Sequence, residues 1–180
     1  MTQASVVSAA RNELDWESFF DAHGAFIFSA VRRFGGPGID AEDATQDVMM
    51  VVLKQHPRFE GRAALRTWLY RICINVASEH RRKHRRRAAF ESVLEAVAFW
   101  RSRDEQPRLD ARHALGQVQA LMSKVPEKYR QVLILCELEG LATSEVSKVL
   151  ELPEPTVRAR LHYARKEILS LMRDQKETGR

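Results

Sequence analysis

The stretch DAEDATQDVMMVVLKQHPRFEGRAALRTWLYRICINVASEHRRKHRRR, residues 40–87, decides how the rest of the chain is interpreted. It begins with carboxylates, continues as an apolar helical pattern, breaks at a proline and a glycine, and resumes as a second helix that ends in a run of Arg and Lys. An acidic surface can hold a basic protein, and a basic helix can hold a nucleic-acid backbone. We predict that the chain joins two such partners.

Length and composition fit an ordinary folded protein. The 180 residues include 44% hydrophobic residues, 8 Gly and 6 Pro, which suits one compact domain or two small ones. The net charge is only +5, but residues 62–87 contain nine Arg or Lys and a single acid, Glu79. Such a block serves nucleic acid or another anionic surface, with a solvated helix face as the alternative.

The cysteines and the apolar runs point to a cytoplasmic protein. Cys73 and Cys136 lie inside apolar helical patterns, without a Cys or His at metal-ligand spacing, which is typical of reduced buried thiols. No apolar run approaches the roughly 20 residues of a membrane span. The N-terminus lacks the basic start and apolar core of a secretory signal. We therefore predict no membrane insertion, and nothing in the sequence indicates a cofactor or a metal.

Two amphipathic helices are predicted in the N-terminal half. Apolar residues recur at spacings of three and four over residues 16–34, after Asp15 as a helix cap, and a Gly-rich turn follows. The second helix begins at Asp40, and its buried stripe would consist of Ala44, Val48, Val51 and Val52.

The second helix carries a row of carboxylates. Asp40 can cap the helix, while Asp40, Asp43 and Asp47 share one face beside Gln46. Capping explains Asp40 but not Asp47, so we predict a dock for a basic partner surface. A metal site is the alternative; it is disfavoured because three acids on one rigid helix converge poorly on one ion and no His assists them.

A third helix resumes after the break at residues 56–64. Its apolar seam would be Leu65, Trp68, Leu69, Ile72 and Val76. Its other positions carry residue types that hold phosphates, read base edges and stack on unpaired bases. These are Arg66, Tyr70, Arg71, Asn75, Ser78, Arg81 and Arg82.

The C-terminal part predicts a second helical domain. The composition changes over residues 88–108, which we interpret as a linker with a short helix near 91–100. Helical stripes then stop at Pro126 and Gly140, a short helix spans 143–150, and a last helix runs from 154 to near 173. Two helices joined by a tight turn, the second rich in Arg, match a helix-turn-helix. The fold class is therefore all-α, with two small helical domains joined by a linker.

Two motifs together resemble one known family. The segment DAEDATQDVMMVVLK…FEGRAALRTWLYRICINVASEHRRK resembles region 2 of bacterial extracytoplasmic-function (ECF) sigma factors, and LMSKVPEKYRQVLILCELEGLATSEVSKVLELPEPTVRARLHYARKEIL resembles their region 4. The resemblance covers nearly the whole chain and implies region 2 over residues 1–87, a linker over 88–108 and region 4 over 109–180.

The resemblance also implies roles for individual residues. Those that would bind the clamp helices of the polymerase's largest subunit are Asp40, Asp43, Gln46 and Asp47. Those that would recognise the minus-ten promoter element, where one base is held out of the stack, are Phe59, Arg62, Arg66, Tyr70, Arg71, Asn75, Arg81 and Arg82. The last helix would lie in the major groove of the minus-thirty-five element and use Glu154, Thr156, Arg158, Ala159, Arg160, His162, Arg165 and Lys166. Of these, Arg160, Arg165 and Lys166 suit phosphates and the others suit base edges.

The chain departs from the family pattern at three positions. Ala142 stands where a capping Ser is common, so Thr143 would replace the cap one residue later. Gly is common where Glu151 and Pro155 stand here. A proline in the first turn is tolerated, and it sets the direction in which the last helix begins.

The resulting prediction is an alternative sigma factor without catalytic activity. It would bind core RNA polymerase at the clamp helices and the flap, direct it to specific promoter DNA, and be held inactive by an anti-sigma factor. A free-standing helix-turn-helix regulator is the alternative, and would not need the carboxylate row. A metal-dependent nuclease built on residues 40–47 is the third hypothesis, and would need further converging acids or a His.

Overall fold

The computed structural model describes residues 15–59, 61, 64–98 and 121–178. Within these ranges the regular elements are helices. They are α1 (Trp16–Gly35), α2 (Ala41–Gln55) with a 3₁₀ turn (His56–Arg58), α3 (Leu65–Ala98), α4 (Glu127–Leu133) with a π-helical extension (Ile134–Leu138), α5 (Thr143–Leu150) and α6 (Glu154–Thr178). The all-α prediction is confirmed.

Two of the predicted helix caps are present. The Asp15 carboxylate accepts hydrogen bonds from the Ser18 amide and hydroxyl at the start of α1. The Asp40 carboxylate accepts from the amides of Glu42 and Asp43, at 2.9 and 3.0 Å. Each carboxylate satisfies amides that the first helical turn leaves unpaired, which is why the helices begin there.

The start of α5 differs from the prediction, because Thr143 is not its cap. Thr143 is the first helical residue, and its hydroxyl donates to Glu154 Oε1 at 2.7 Å. The Glu145 carboxylate instead accepts from the Ala142 amide at 2.8 Å. The helix therefore has the carboxylate half of a capping box and lacks the hydroxyl half, since alanine has no acceptor.

Helix α3 is longer than predicted. It passes through the Arg-rich run and ends at Ala98, within the segment assigned to the linker. Residues 62–106 contain no Gly or Pro, so nothing in the sequence stops the helix earlier. The rest of that segment, 99–108, and the first residues of the second domain, 109–120, lie outside the described residues. The domain boundaries therefore stay a prediction.

Helices α1, α2 and α3 form an N-terminal unit around one apolar core. From α2 the core takes Ala44, Val48 and Val52, as predicted, while Val51 is only partly buried. The other buried hydrophobic residues of the unit are Phe19, Ile27, Ala30, Val31, Phe34, Leu69, Tyr70, Ile72, Cys73, Ile74 and Ala77. Leu65, Trp68 and Val76 of the predicted seam are partly buried.

Helices α4, α5 and α6 form a C-terminal unit that contains the helix-turn-helix. Its buried apolar residues are Leu121, Val125, Val132, Leu133, Ile134, Leu135, Val146, Val149, Val157, Leu161 and Ala164. Helices α5 and α6 are joined through Glu151, which has a positive φ of 54°. This left-handed conformation explains why a glycine would suit that position.

The two units pack against each other mainly through α3 and α5. Most of their buried apolar residues join into one continuous cluster. No helix in the described part of the chain is both long and apolar enough to cross a membrane.

Candidate functional site

The carboxylate row on α2 lies on the surface. We call Asp40, Asp43, Gln46 and Asp47 the acidic face; all four are exposed. Met50 and Leu53 extend this face by two helical turns, and they are 51% and 45% exposed. Exposed apolar side chains beside charged ones are typical of a protein-protein interface, in which a dry centre has a polar rim. The sequence pattern indicates the carboxylates but not the exposure of the two apolar residues.

A histidine from α3 joins the acidic face. His80 Nε2 lies 2.8 Å from Asp47 Oδ2, and His80 Nδ1 lies 3.9 Å from Asp43 Oδ2. The prediction that no His assists these carboxylates is wrong, because His80 comes from a different helix, 33 residues after Asp47. The imidazole side chain is only 10% exposed, while those of Asp43 and Asp47 are 64% and 52% exposed. His80 therefore contacts Asp47 from the protein interior, and the carboxylates of Asp43 and Asp47 stay exposed to a partner.

The residues of α3 that were predicted to contact nucleic acid divide into exposed and enclosed ones. Arg66, Asn75 and Arg82 are exposed, as predicted. Tyr70 is buried, and its ring makes edge contacts with Phe26 and Phe34. Its aromatic face is therefore not available to a base in this conformation.

The Tyr70 hydroxyl reaches the C-terminal unit. It donates to Glu139 Oε2 at 2.8 Å and accepts a 3.4 Å hydrogen bond from Arg66 Nη2. Burial raises the pKa of the Tyr70 phenol, so the hydroxyl keeps its proton at neutral pH. Arg33 on α1 forms an ion pair with the same Glu139, whose side chain is only 4% exposed. Glu139 thus links α1 and α3 to the C-terminal unit.

Arg71 is enclosed by α5. Its Nη2 donates to the Lys148 carbonyl at 2.7 Å, and its Nε donates to the Val149 carbonyl at 3.3 Å. Its Nη1 pairs with the Glu151 carboxylate. The last carbonyls of a helix lack partners within the helix and carry its negative dipole end, so a guanidinium is well placed there. An arginine predicted to contact DNA therefore caps α5.

Arg81 and Phe59, which were both predicted to contact DNA, are at least half-buried. Arg81 is only 9% exposed, and its Nη1 faces the Gly35 carbonyl at 3.4 Å, so in this conformation it does not face DNA. Phe59 is half-buried and packs against Trp68, with the two rings tilted by 36° and their centroids 4.9 Å apart. Arg62 lies outside the described residues.

Helix α6 presents most of its predicted DNA-contacting residues to solvent. Arg158, Ala159, His162, Arg165 and Lys166 are exposed, whereas Glu154, Thr156 and Arg160 are half-buried.

Two of these side chains already have partners in the C-terminal unit. Arg158 pairs with Glu154 at 3.6 Å. Arg165 donates to Glu137 Oε1 from Nε at 3.0 Å and from Nη2 at 2.6 Å. In this conformation Glu137 therefore occupies the Nε and Nη2 donors of Arg165.

Comparisons with known proteins agree with this geometry. The Sigma-70 region 2 family model matches residues 19–87, and the Sigma-70 region 4 model matches residues 115–168. The chain is 30% identical over 161 residues to the ECF RNA polymerase sigma factor SigE of Mycolicibacterium smegmatis, which covers 85% of this chain and 60% of that protein. It is 31% identical over 150 residues to the RNA polymerase sigma-H factor of Pseudomonas aeruginosa, which covers 79% of this chain and 78% of that protein.

A solved structure shares the fold. The sigma factor RpoE of Bartonella quintana, co-crystallised with the anti-sigma factor NepR, has a TM-score of 0.59 and 18% identity, over 86% of this chain and 96% of that chain. Two sigma-70 regions on one chain, together with a 31% identical sigma factor covered over 78% of its length, show that this chain belongs to the ECF family of RNA polymerase sigma factors.

Proposed function

We propose that this chain is an alternative sigma factor that binds core RNA polymerase and directs it to specific promoters. The observation that carries the proposal is the separation of charge on the folded chain: exposed carboxylates on α2, and Arg-rich surfaces on α3 and α6. One surface suits a basic protein partner and two suit DNA. Promoter choice then rests on binding alone, without a catalytic step. This initiation of transcription would take place in the cytoplasm, where the polymerase acts.

The acidic face would hold the clamp helices of the polymerase's largest subunit. Asp43 and Asp47 supply exposed charge, and His80 holds Asp47 in place through a 2.8 Å contact. Met50 and Leu53 supply apolar area at the centre of the contact. Charge at the rim steers association and apolar area slows dissociation, so the two parts act together.

The DNA surfaces would read two promoter elements. On α3, Arg66 and Asn75 face solvent, whereas Tyr70 and Arg71 reach the minus-ten element only after Glu139 and the α5 carbonyls release them. On α6, the exposed Arg158, Ala159 and His162 would approach base edges in the minus-thirty-five element, and Arg165 and Lys166 would hold phosphates. We call the described conformation, in which these contacts hold the two units together, the closed form. Polymerase would bind an open form, in which these contacts are broken.

An anti-sigma factor would control the transition. The Bartonella quintana relative was crystallised with such a partner, and its fold matches this chain. A protein that binds both units holds them together and covers surfaces that polymerase and promoter need. An anti-sigma factor that binds the closed form more tightly than the open form would lower the apparent affinity of the chain for polymerase.

The experiment that tests the proposal is recovery of core polymerase by charge-reversed variants. Asp47→Lys is expected to abolish recovery of bacterial core polymerase and run-off transcription, while DNA binding by the C-terminal unit persists. Asp21→Lys makes the same charge change on an exposed position of α1 and serves as the matched control. Undiminished recovery by Asp47→Lys, with both variants folded by circular dichroism, would refute the assignment.

A further inference from the structure

A cavity of about 380 Å³ lies between the two units. It is bounded by α1, the turn after α1, α3, and the C-terminal unit from residue 122 to residue 138. Its described lining residues include four arginines and no acid, together with the apolar side chains of Phe28, Met122 and Leu138. A volume of this size is within the range of small-molecule sites.

Arg81 is the first unusual feature of the cavity. Arg81 is only 9% exposed, and its buried Nε has no hydrogen-bond partner in the described part of the chain. Its Nη1 makes one long contact, at 3.4 Å, with the Gly35 carbonyl. A buried guanidinium normally pairs with a carboxylate, because removal of its water is costly. Arg81 lacks this compensation here.

Arg130 is the second unusual feature of the cavity. It is 3% exposed, and its Nη1 donates to the Val125 carbonyl at 3.1 Å. Burial and, to a smaller extent, the positive charge of Arg81 lower the pKa of Arg130 to about 10, against a smaller opposing effect of Glu127. Both arginines therefore stay charged at neutral pH, and they repel each other.

The nearby carboxylates already have other partners. Glu127 lies 3.8 Å from Arg85, and Glu139 pairs with Arg33 and Tyr70. No ion pair of Arg81 or Arg130 within 4 Å is found among the residues that the structure describes. An anion that entered the cavity would meet both guanidinium groups, with Arg32 at the rim.

We propose that this cavity binds a nucleoside diphosphate, with its phosphates on Arg81 and Arg130 and its base against Phe28. Planar guanidinium groups hold phosphate oxygens in pairs of charge-assisted hydrogen bonds, and a diphosphate carries enough charge and enough oxygens for two guanidinium groups. The apolar side chains of Met122 and Leu138 suit the base and sugar more than free pyrophosphate.

Ligand binding would favour the closed form. Arg81 belongs to α3 and Arg130 to α4, so the site exists only while the two units are together. A ligand that binds one conformation stabilises it by mass action. The nucleotide would therefore lower the affinity for core polymerase, and this second statement rests on the proposed function.

The test is isothermal titration of the full chain with GDP, ADP, pyrophosphate and guanosine, without polymerase. GDP or ADP is expected to bind at least about tenfold more tightly than pyrophosphate, and guanosine is expected not to bind. Arg81→Gln is expected to weaken nucleotide binding at least about tenfold without lowering the melting temperature of the free chain, because it removes an unpaired buried charge. Arg86→Gln changes an exposed arginine of the same helix, and is expected to alter binding less than about twofold.

Several results would overturn the proposal. The first is that neither nucleotide binds. The second is that Arg81→Gln binds the nucleotide as tightly as the unchanged chain. The third is that Arg81→Gln and Arg86→Gln lose the same affinity, which would indicate non-specific attraction to the Arg-rich run.

A second titration measures the binding of core polymerase to the chain with and without GDP. If core binds equally well in both, the nucleotide does not favour the closed form. If core does not bind even without GDP, the proposed function fails while the nucleotide result stands.

Discussion

Substitution of Glu139 by Gln should open the two units and raise the affinity for core polymerase. Glu139 is the buried carboxylate that joins Tyr70 of α3 and Arg33 of α1 to the C-terminal unit. Gln has nearly the same shape and can still accept a hydrogen bond, so the change removes charge without making a cavity. Both units should keep their own cores, because the apolar residues are unchanged.

The magnitude follows from the two contacts. A hydrogen bond to a charged acceptor contributes about 1.5–3 kcal/mol and a neutral one about 0.5–1.5 kcal/mol, so the Tyr70 contact should weaken by about 1 kcal/mol. The ion pair with Arg33 adds about 0.5 kcal/mol, discounted because the Arg33 side chain is 41% exposed. Together the closed form should lose about 1.5 kcal/mol, which is about tenfold in the equilibrium between closed and open forms.

Titration of fluorescently labelled chain with core polymerase measures this change. If the closed form predominates, the affinity rises in proportion to the open fraction, by up to about tenfold. Glu137→Gln is the matched control: it lies two residues before Glu139, within the π-helical segment that ends at Leu138, and its partner, Arg165, belongs to the same unit. Equal or weaker core binding by Glu139→Gln, or an equal rise in Glu137→Gln, would contradict the idea that Glu139 holds the units together.

Three further predictions concern α6, the turn before it and the buried thiol. Arg158→Ala should change the sequence preference of promoter binding, whereas Arg165→Ala should weaken binding to all duplexes and lower the salt slope by about 1, as titrations at two salt concentrations would show. Glu151→Gly should raise the free energy of unfolding by up to about 1 kcal/mol in denaturant titrations, because relief of the positive φ outweighs the exposed pair with Arg71; a loss of stability would show the opposite balance. Burial raises the pKa of the Cys73 thiol from 9.0 to about 12, so its reactive thiolate is scarce below that pH. Iodoacetamide at pH 8 should therefore label half-buried Cys136 before Cys73 in native chain, and mass spectrometry of peptides would detect the reverse order.

Much of the local structure could be predicted from residue patterns. The caps at Asp15 and Asp40 and the stripe of Ala44, Val48 and Val52 depend on neighbours within a few residues, so spacing alone reveals them. The length of α3 could also have been predicted, because no Gly or Pro interrupts residues 62–106. The change of composition near residue 88 was the weaker signal, since a helix tolerates charge that does not have to be buried.

The sequence by itself determined the helices, the helix-turn-helix and the separation of acidic from basic surfaces. Only the tertiary structure decided which of the basic side chains are free to act. Tyr70 and Arg71 meet Glu139 and Glu151, and His80 meets Asp47, across 33 to 80 residues of chain. Hydrophobic periodicity identifies the one face of a helix that contacts an apolar core. When a polar face packs against another polar face, both look like solvated surface in the sequence, and only their positions in space show that the charges are paired.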